Sequence, residues 1–140
     1  MGRIAVIYWS GTGNTEVMAN AVYESAKEVS DDAELMNVGE ISAADAAKYD
    51  VLLLGCPAMG AEVLEEEEFE PFFTELEGSL SGKKVGLFGS YGWGDGEWMR
   101  SWQERTEAAG AMIIGSVIAN DAPDDEALSL CAELGKSSAS

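Results

Sequence analysis

Five short apolar runs alternate along the chain with segments in which apolar residues recur every three or four positions. The runs span residues 4–9, 33–38, 51–55, 85–89 and 112–119. Only the run at 33–38 is half polar, so we expect that strand at an edge of a sheet. The others are apolar on both faces, which is typical of strands in a parallel sheet covered by helices on both sides.

Helical spacing fills the segments between these runs. Met18, Val22 and Ala26 predict one buried face of a helix over about residues 15–29. Ser42 and Asp45 predict a brief capped helix that ends near residue 48. The remaining helices are marked by Phe69, Phe72, Phe73 and Leu76, by Trp98, Trp102 and Ala109 before a stop at Gly110, and by Leu128, Cys131, Ala132 and Gly135.

Five strand–helix units in 140 residues predict an α/β fold. We expect an open, doubly wound, five-stranded parallel sheet with helices on both faces, because a closed α/β barrel typically needs about 250 residues. Residues 1–140 would form a single domain. Ligands of such sheets bind beyond the carboxyl ends of the strands, which here means the loops at 10–15, 56–64, 90–97 and 120–123.

Charge and composition limit the possible partners. The formal net charge is −18, with 26 acidic and 8 basic residues. Nucleic acids and anionic membranes are therefore excluded as partners, and a protein with a basic face is favoured. No apolar run reaches the roughly 20 residues of a membrane span, and no signal segment precedes the first strand. The two cysteines form no motif, and we expect a reducing cytoplasm.

The first loop predicts a phosphate site. It reads Ser10-Gly11-Thr12-Gly13-Asn14-Thr15. Backbone N–H groups at a helix N-terminus suit a phosphate, and the hydroxyls and the amide add further hydrogen-bonding groups. No Gly-Lys-Ser/Thr follows, which excludes a Walker loop, and Glu16 replaces the third glycine of a dinucleotide fingerprint. A turn that only caps the helix is the alternative.

Two further loops supply groups for a planar ring. The second contains Pro57, Ala58, Met59, Gly60, Ala61 and Glu62, and the third contains Ser90, Tyr91, Gly92, Trp93 and Gly94. Methionine lies well against an aromatic ring, and Trp93, on neither helical nor strand spacing, predicts an aromatic cover. A tryptophan that plugs the end of the sheet is the alternative. The three loops together suggest a site for a planar ring with a phosphate tail.

The whole chain resembles the flavodoxins, in particular the short-chain flavodoxins of anaerobic bacteria. The motifs that carry the resemblance are residues 8–15, 54–60, 70–73 and 86–94. The fifth strand also continues directly into residues 119–123, without the insertion of long-chain members. The resemblance implies a low-potential, one-electron carrier with non-covalent FMN that cycles between semiquinone and hydroquinone. It implies an electron carrier and not an enzyme.

The resemblance also implies roles for individual residues. Met59 and Trp93 would cover the two faces of the flavin, Gly60 would accept from N5–H, and Glu62 would accept from N3–H. Asn120 would touch the ribityl chain. The phosphate would be bound by Ser10, Thr12, Asn14 and Thr15 with the N–H groups of Gly11 and Gly13, and the pyrimidine edge would be lined by Ser90, Tyr91 and Gly92. Ala61 and Pro57 depart from the pattern of some relatives, which have polar residues at these positions.

Partners and alternative functions follow from the same features. The implied partners are ferredoxin- or flavodoxin-dependent oxidoreductases with basic docking surfaces, approached by a monomer. The acidic run at residues 65–68 predicts either a solvated helix start or the docking surface itself. A small FMN-dependent reductase on the same fold is the alternative function. Cys56 and Cys131 are interpreted as core residues, and Trp9 likewise.

Overall fold

One parallel sheet of five strands organises the protein. The computed structural model describes residues 3–11, 13–59, 63–92 and 96–138. Its first strand along the chain lies between the second and the third, the fourth and fifth follow the third in order, and every neighbouring pair is parallel. The order reverses between the first and third strands, so the crevice beyond their carboxyl ends is the expected ligand site. The predicted α/β class and doubly wound parallel sheet are confirmed.

The elements follow the predicted alternation, with small shifts at their ends. The strands are β1 Ile4–Tyr8, β2 Ala33–Asn37, β3 Val51–Gly55, β4 Lys84–Tyr91 and β5 Met112–Asn120. The helices are α1 Asn14–Val29, α2 Ala43–Ala46, α3 Phe69–Leu76, α4 Glu97–Ala108 and α5 Asp125–Ser137. Two short 3₁₀ turns, Val38–Glu40 and Glu77–Ser79, were not predicted. Strand β4 is longer than expected because its polar end residues, Ser90 and Tyr91, still pair with β5.

The helices divide between the two faces of the sheet. Successive residues of β1 point to opposite faces, as the pleat requires, so Ile4 and Val6 lie on one face and Ala5 and Ile7 on the other. Helices α1 and α5 pack on one face, and α2, α3 and α4 pack on the other. The second face holds the aromatic residues of the core. Phe69, Phe73, Trp98 and Trp102 are at most 1% exposed there, which confirms the core positions assigned to these side chains.

Close contact between α1 and α5 depends on Gly135. A β-carbon at this position would lie 2.3 Å from the carbonyl oxygen of Val22 and 2.9 Å from the amide nitrogen of Ala26. Cys131 and Leu134 of α5 are buried beside it. Leu128 and Ala132, expected to face inward, are only half-buried, and Ala127 and Leu134 take their place in the core.

The two edge strands differ from one another. β2 is an edge strand, as its half-polar sequence predicts. β5 is the opposite edge, and its register with β4 shifts between Val85 and Gly86. Met112 and Ile118 of β5 are exposed, so the burial of both faces expected from its apolar sequence is wrong for this strand. Among the described residues, no helix is long and apolar enough to cross a membrane.

Candidate cofactor site

A cleft of about 210 Å³ opens at the carboxyl ends of β1, β3 and β4. It lies at the reversal of strand order, where a ligand site is expected. Three of the four loops predicted from the sequence meet in it, and the fourth contributes one residue. The lining residues are Trp9, Gly11, Asn14, Pro57, Ala58, Met59, Ser90, Tyr91, Gly92 and Asp121.

The first loop closes onto the N-terminus of α1 through Ser10. The Ser10 hydroxyl oxygen accepts hydrogen bonds from the Gly13 N–H at 3.1 Å and the Glu16 N–H at 3.3 Å. Gly13 has φ +99°, a conformation that glycine adopts with little strain. Helix α1 has 16 residues, and its N-terminal N–H groups and dipole favour an anion at this end.

Thr15 connects the first loop with the third. Its side chain is buried, and its hydroxyl oxygen accepts from the Ser90 N–H at 3.3 Å. The two hydroxyl oxygens also lie 3.3 Å apart. The bond ties the first turn of α1 to the last residues of β4, so the loops on either side of the cleft share one support.

The second loop leaves β3 along the end of β4. The Cys56 N–H donates to the Phe88 carbonyl at 3.1 Å, and the Ala58 N–H donates to the Ser90 carbonyl at 3.0 Å. The buried indole of Trp98 donates to the Cys56 carbonyl at 3.1 Å. These bonds place Pro57, Ala58 and Met59 along one wall of the cleft.

Trp9 is a wall of the cleft and not only a core residue. It is half-buried, packs on one side against the core and lines the cleft on the other. Its indole N–H donates to Oε1 of Glu68 at 3.1 Å, which fixes the ring. The interpretation of Trp9 as a core side chain is therefore correct for one face of the ring and incomplete for the other.

The third and fourth loops meet at Tyr91. The Tyr91 carbonyl accepts from the Asp121 N–H at 2.7 Å and from Nδ2 of Asn120 at 3.3 Å. Asp121 has φ +55° and lines the cleft. Asn120 lines a neighbouring cavity of about 260 Å³ between β5 and α5. Sequence reasoning selected Asn120 and missed Asp121, although Asp121 lies in a loop assigned to the site.

Six of the residues assigned to the site from the sequence lie outside the described residues. They are Thr12, Gly60, Ala61, Glu62, Trp93 and Gly94. Their roles therefore stay predictions, and the geometry of the site rests on the described residues alone.

The acidic run at residues 65–68 is not uniform. Glu66, Glu67 and Glu68 are exposed, but Glu65 is buried, and its carboxylate accepts N–H groups at the start of α3. Its inclusion in a docking surface is therefore wrong. The sequence shows four identical residues, and only the turn before α3 distinguishes them.

The described lining of the cleft carries acidic and no basic side chains. Asp121 contributes a carboxylate to this lining. Close to the lining residue Trp9, the Tyr8 hydroxyl donates a hydrogen bond to the Glu16 carboxylate at 3.2 Å. Burial, followed by the charge of Glu16, raises the pKa of the Tyr8 phenol. An anion bound here would therefore be held by hydrogen bonds and the helix dipole. No group of side chains among the described residues is suited to hold a metal ion.

Neither cysteine is suited to nucleophilic chemistry. Both thiols are buried, and burial raises the pKa of Cys131 to about 12 and shifts the pKa of Cys56 upward as well. Because only the thiolate is reactive, both groups are inert at neutral pH. Their assignment to the core is confirmed.

Comparison with known proteins finds relatives that cover nearly the whole chain. The family described as flavodoxin matches residues 6–135. The flavodoxin of Megasphaera elsdenii is 52% identical over 136 residues, which covers 97% of this chain and 98% of the relative. That of Clostridium beijerinckii is 47% identical, with 94% and 95% covered. The solution structure of the two-electron reduced Megasphaera elsdenii flavodoxin superposes with a TM-score of 0.89, covering 97% of this chain and 98% of that one.

The chain belongs to the flavodoxin family. Members of the family are electron carriers that bind FMN, so this flavodoxin is a small FMN-binding electron-transfer protein and not an enzyme. The resemblance inferred from the motifs is confirmed, and the alternative of a small reductase is not favoured. In flavodoxins the cofactor lies at the switch point between β1 and β3, which is where the cleft opens here.

The described residues suit FMN. Gly11 and Asn14 line the cleft at the N-terminus of the 16-residue helix α1, where the helix dipole favours an anion such as a phosphate monoester. Beside it, Trp9, Ala58 and Met59 give an apolar wall for a flat ring. Ser90, Tyr91 and Gly92 line the same cleft. The cleft therefore provides an anion end and a ring end in one continuous space.

Proposed function

We propose that residues 1–140 form one FMN-binding domain that carries single electrons at low potential between redox enzymes. The observation that supports this most directly is the single cleft that joins the N-terminus of α1 to the wall formed by Trp9 and Met59. A polar end and an apolar wall in one cleft match a ring that bears a phosphate. When bound, FMN supplies reversible one-electron chemistry.

The phosphate end is assigned to the first loop. Ser10, Thr12, Asn14 and Thr15 would bind the phosphate together with the N–H groups of Gly11 and Gly13. The long helix α1 supports this assignment, since its dipole stabilises negative charge at the N-terminus. Thr15 is oriented by its contact with Ser90, so we assign it the additional role of holding the loop against β4.

The ring end is assigned to the second and third loops. Met59 would cover one face of the ring and Trp93 the other. At the polar edge of the ring, the Gly60 carbonyl and the Glu62 carboxylate would accept hydrogen bonds. Ser90, Tyr91 and Gly92 would line the pyrimidine side, and Asn120 would reach the ribityl chain. The remaining members, Pro57, Ala58, Ala61 and Gly94, would shape the loops around these contacts.

A low potential follows from the charges around the cleft. The described lining holds no basic residue, and the chain carries a net charge of −18. A negative charge about 10 Å from the redox group opposes reduction by about 0.4 kcal/mol in bulk water, and by more near protein. We expect the midpoint potential of the second one-electron reduction to become less negative in high salt, because salt screens this repulsion.

The experiment that tests the proposal is an anaerobic reductive titration of the purified protein with bound FMN, followed by visible absorption. We expect a species that holds one electron per FMN to accumulate before full reduction. Reduction in one two-electron step would favour the reductase instead. A protein that binds no FMN under any condition would contradict the proposal as a whole.

Partner docking is proposed for the exposed part of the acidic run. Glu66 and Glu67 are exposed near the loop that lines the cleft, and they would attract a partner with a basic face. Reduction of a basic cytochrome should be slower, and less dependent on salt, in the E66Q/E67Q variant. The matched control, E28Q/D31N, removes the same charge at the amino ends of the strands, away from the cleft, and should behave as the wild type.

A cytoplasmic location and a monomeric state complete the proposal. Two unpaired, buried cysteines are consistent with a reducing compartment. The high negative charge opposes self-association. Sedimentation of the protein with bound FMN over a range of concentrations tests the monomer, and a mass that rises with concentration would contradict it.

A further inference from the structure

Glu65 is a buried carboxylate at the end of the loop between β3 and α3. The residue is only 6% exposed. One carboxylate oxygen accepts from the Glu68 N–H at 2.7 Å and from the Phe69 N–H at 2.9 Å. The other accepts from the Glu67 N–H at 2.8 Å. One side chain thus satisfies three of the backbone donors that precede and open α3, which would otherwise lack partners.

The backbone of Glu65 makes two further connections. Its N–H donates to Sγ of Cys56 at 3.4 Å, and its carbonyl accepts from the Glu70 N–H at 2.8 Å. Cys56 begins the loop and is itself bonded to β4. Glu65 therefore joins the first residue of the loop to the first turn of α3.

Three described residues between these two anchors line the cleft. Pro57, Ala58 and Met59 follow Cys56 and form part of the wall. The Met59 N–H donates to the Val63 carbonyl at 2.9 Å, so the loop closes on itself two residues before Glu65. The wall is held at its strand end by β4. Among the residues that the structure describes at its helix end, Glu65 is the buried charged group.

We propose that Glu65 is a positioning residue for FMN, which holds the wall of the cleft in its binding form before the cofactor arrives. The inference rests on the proposed function of this cleft. Without the carboxylate, three backbone donors lose their acceptor and the loop populates other conformations. FMN must then order the loop as it binds. Its apparent affinity falls in proportion to the fraction of the apoprotein in which the loop already has its binding form.

The test compares E65Q with E66Q. Both remove one negative charge from neighbouring positions, but Glu66 is exposed and Glu65 is buried. The amide of E65Q directs a donor at a backbone N–H, so this variant loses hydrogen bonds as well as charge. The apoprotein is titrated with FMN and binding is followed by the fluorescence of the flavin. The dissociation constant should be at least tenfold higher than that of wild type for E65Q, and within twofold of wild type for E66Q.

Two further variants separate positioning from general instability. L134A removes a buried side chain of α5 on the other face of the sheet and should lower stability with much less effect on FMN affinity. E65D keeps both acceptor oxygens and should recover part of the lost affinity. Hydrogen exchange in the apoprotein should accelerate at Met59 and at residues 67–69 in E65Q, but not in E66Q.

Several outcomes would overturn the inference. If E65Q binds FMN as E66Q does, Glu65 holds nothing that FMN requires. If L134A at equal loss of stability weakens FMN binding equally, the effect is general. If E65Q does not fold, E65D decides the question. Its shorter side chain should hold the three N–H groups less closely, so an FMN affinity and an exchange rate equal to those of wild type would contradict the role. If the wild type itself binds no FMN, the proposed function fails. If hydrogen exchange in the E65Q apoprotein is the same as in wild type, Glu65 does not hold the loop, whatever the proposed function.

Discussion

The hydroxyl oxygen of Thr15 accepts a hydrogen bond from the backbone N–H of Ser90, 75 residues away, at 3.3 Å. Both residues are buried. The contact joins the helix that begins after the first loop to the strand β4, whose last residues line the cleft. The two sides of the cleft are thus held together by a pair of residues whose contact forms only when the chain is folded.

Replacing Thr15 by valine keeps the shape of the side chain and removes the acceptor. The Ser90 N–H would then be buried without its partner, which costs about 1–3 kcal/mol. We expect the free energy of unfolding of the apoprotein, measured by urea denaturation, to fall by about this amount. T15S retains the hydroxyl and should lose less. Equal stability of T15V and wild type would show that the contact contributes nothing.

Arg105 binds two carboxylates between α3 and α4. It donates to Glu70 through two bonds of 2.8 Å and to Glu77 at 2.8 Å, and it lies over the ring of Phe73. The three side chains are about one-third exposed, so solvent screens the pairs. We expect R105M to lower the free energy of unfolding by about 1–2 kcal/mol at pH 7. K48M, which breaks an exposed pair with Asp45, should cost at most about 0.5 kcal/mol.

The same network predicts a pH dependence. The hydrogen bond from Arg105 lowers the pKa of Glu70 below its ordinary value. A carboxyl with a lowered pKa in the folded state stabilises the fold above the pKa of the unfolded chain, and this stabilisation is lost as the pH falls through the folded value. The difference in stability between wild type and R105M should therefore shrink below about pH 4. A difference that stays constant from pH 7 to pH 3 would contradict this account.

Gly135 and Gly78 make a matched pair of glycine substitutions. A β-carbon at Gly135 would overlap the backbone of α1, whereas one at Gly78 would meet nothing within 4 Å. G135A should therefore destabilise the protein by about 1–3 kcal/mol or more. G78A should be neutral or stabilise it by up to about 1 kcal/mol, because the unfolded chain loses freedom. Thermal unfolding of both variants distinguishes these outcomes, and equal melting temperatures would disprove the close packing of α1 on α5.

The two cysteine thiols should be unreactive toward alkylating reagents in the folded protein. Both are buried and have raised pKa values, so an alkylating reagent at pH 8 should label neither thiol. Both should react in urea. Mass spectrometry of the labelled protein counts the modified residues. Rapid labelling of Cys56 in the apoprotein would show that the start of the second loop opens on its own.

Local patterns were enough to predict the elements. The helix stop at Gly110 follows from the conformational freedom of glycine, and its φ of +94° agrees. The core positions of Phe69, Phe73 and Trp102 follow from helical spacing, since a single stripe must face the sheet. The edge position of β2 follows from its half-polar sequence. In each case the cause lies within a few residues of the effect.

Other features could not be predicted because they depend on the geometry of turns and on contacts formed only in the folded chain. The buried role of Glu65 arises from the turn that places its carboxylate under three backbone donors. The position of Asp121 in the cleft depends on the bond between its N–H and the Tyr91 carbonyl. The exposure of β5 follows from its place in the strand order, which its apolar sequence does not reveal.

The sequence by itself determined the α/β class, the order of the elements, the loops that form the site and the resemblance to flavodoxins, because periodicity and short motifs encode local conformation directly. The tertiary structure decided which of four neighbouring glutamates is buried, that Trp9 faces the cleft as well as the core, and that Thr15 supports Ser90. The contacts of Trp9 and Thr15 join segments far apart in the chain, and only the packing of the folded sheet brings their atoms within hydrogen-bonding distance. The burial of Glu65 depends on the turn that folds its side chain back under the start of α3.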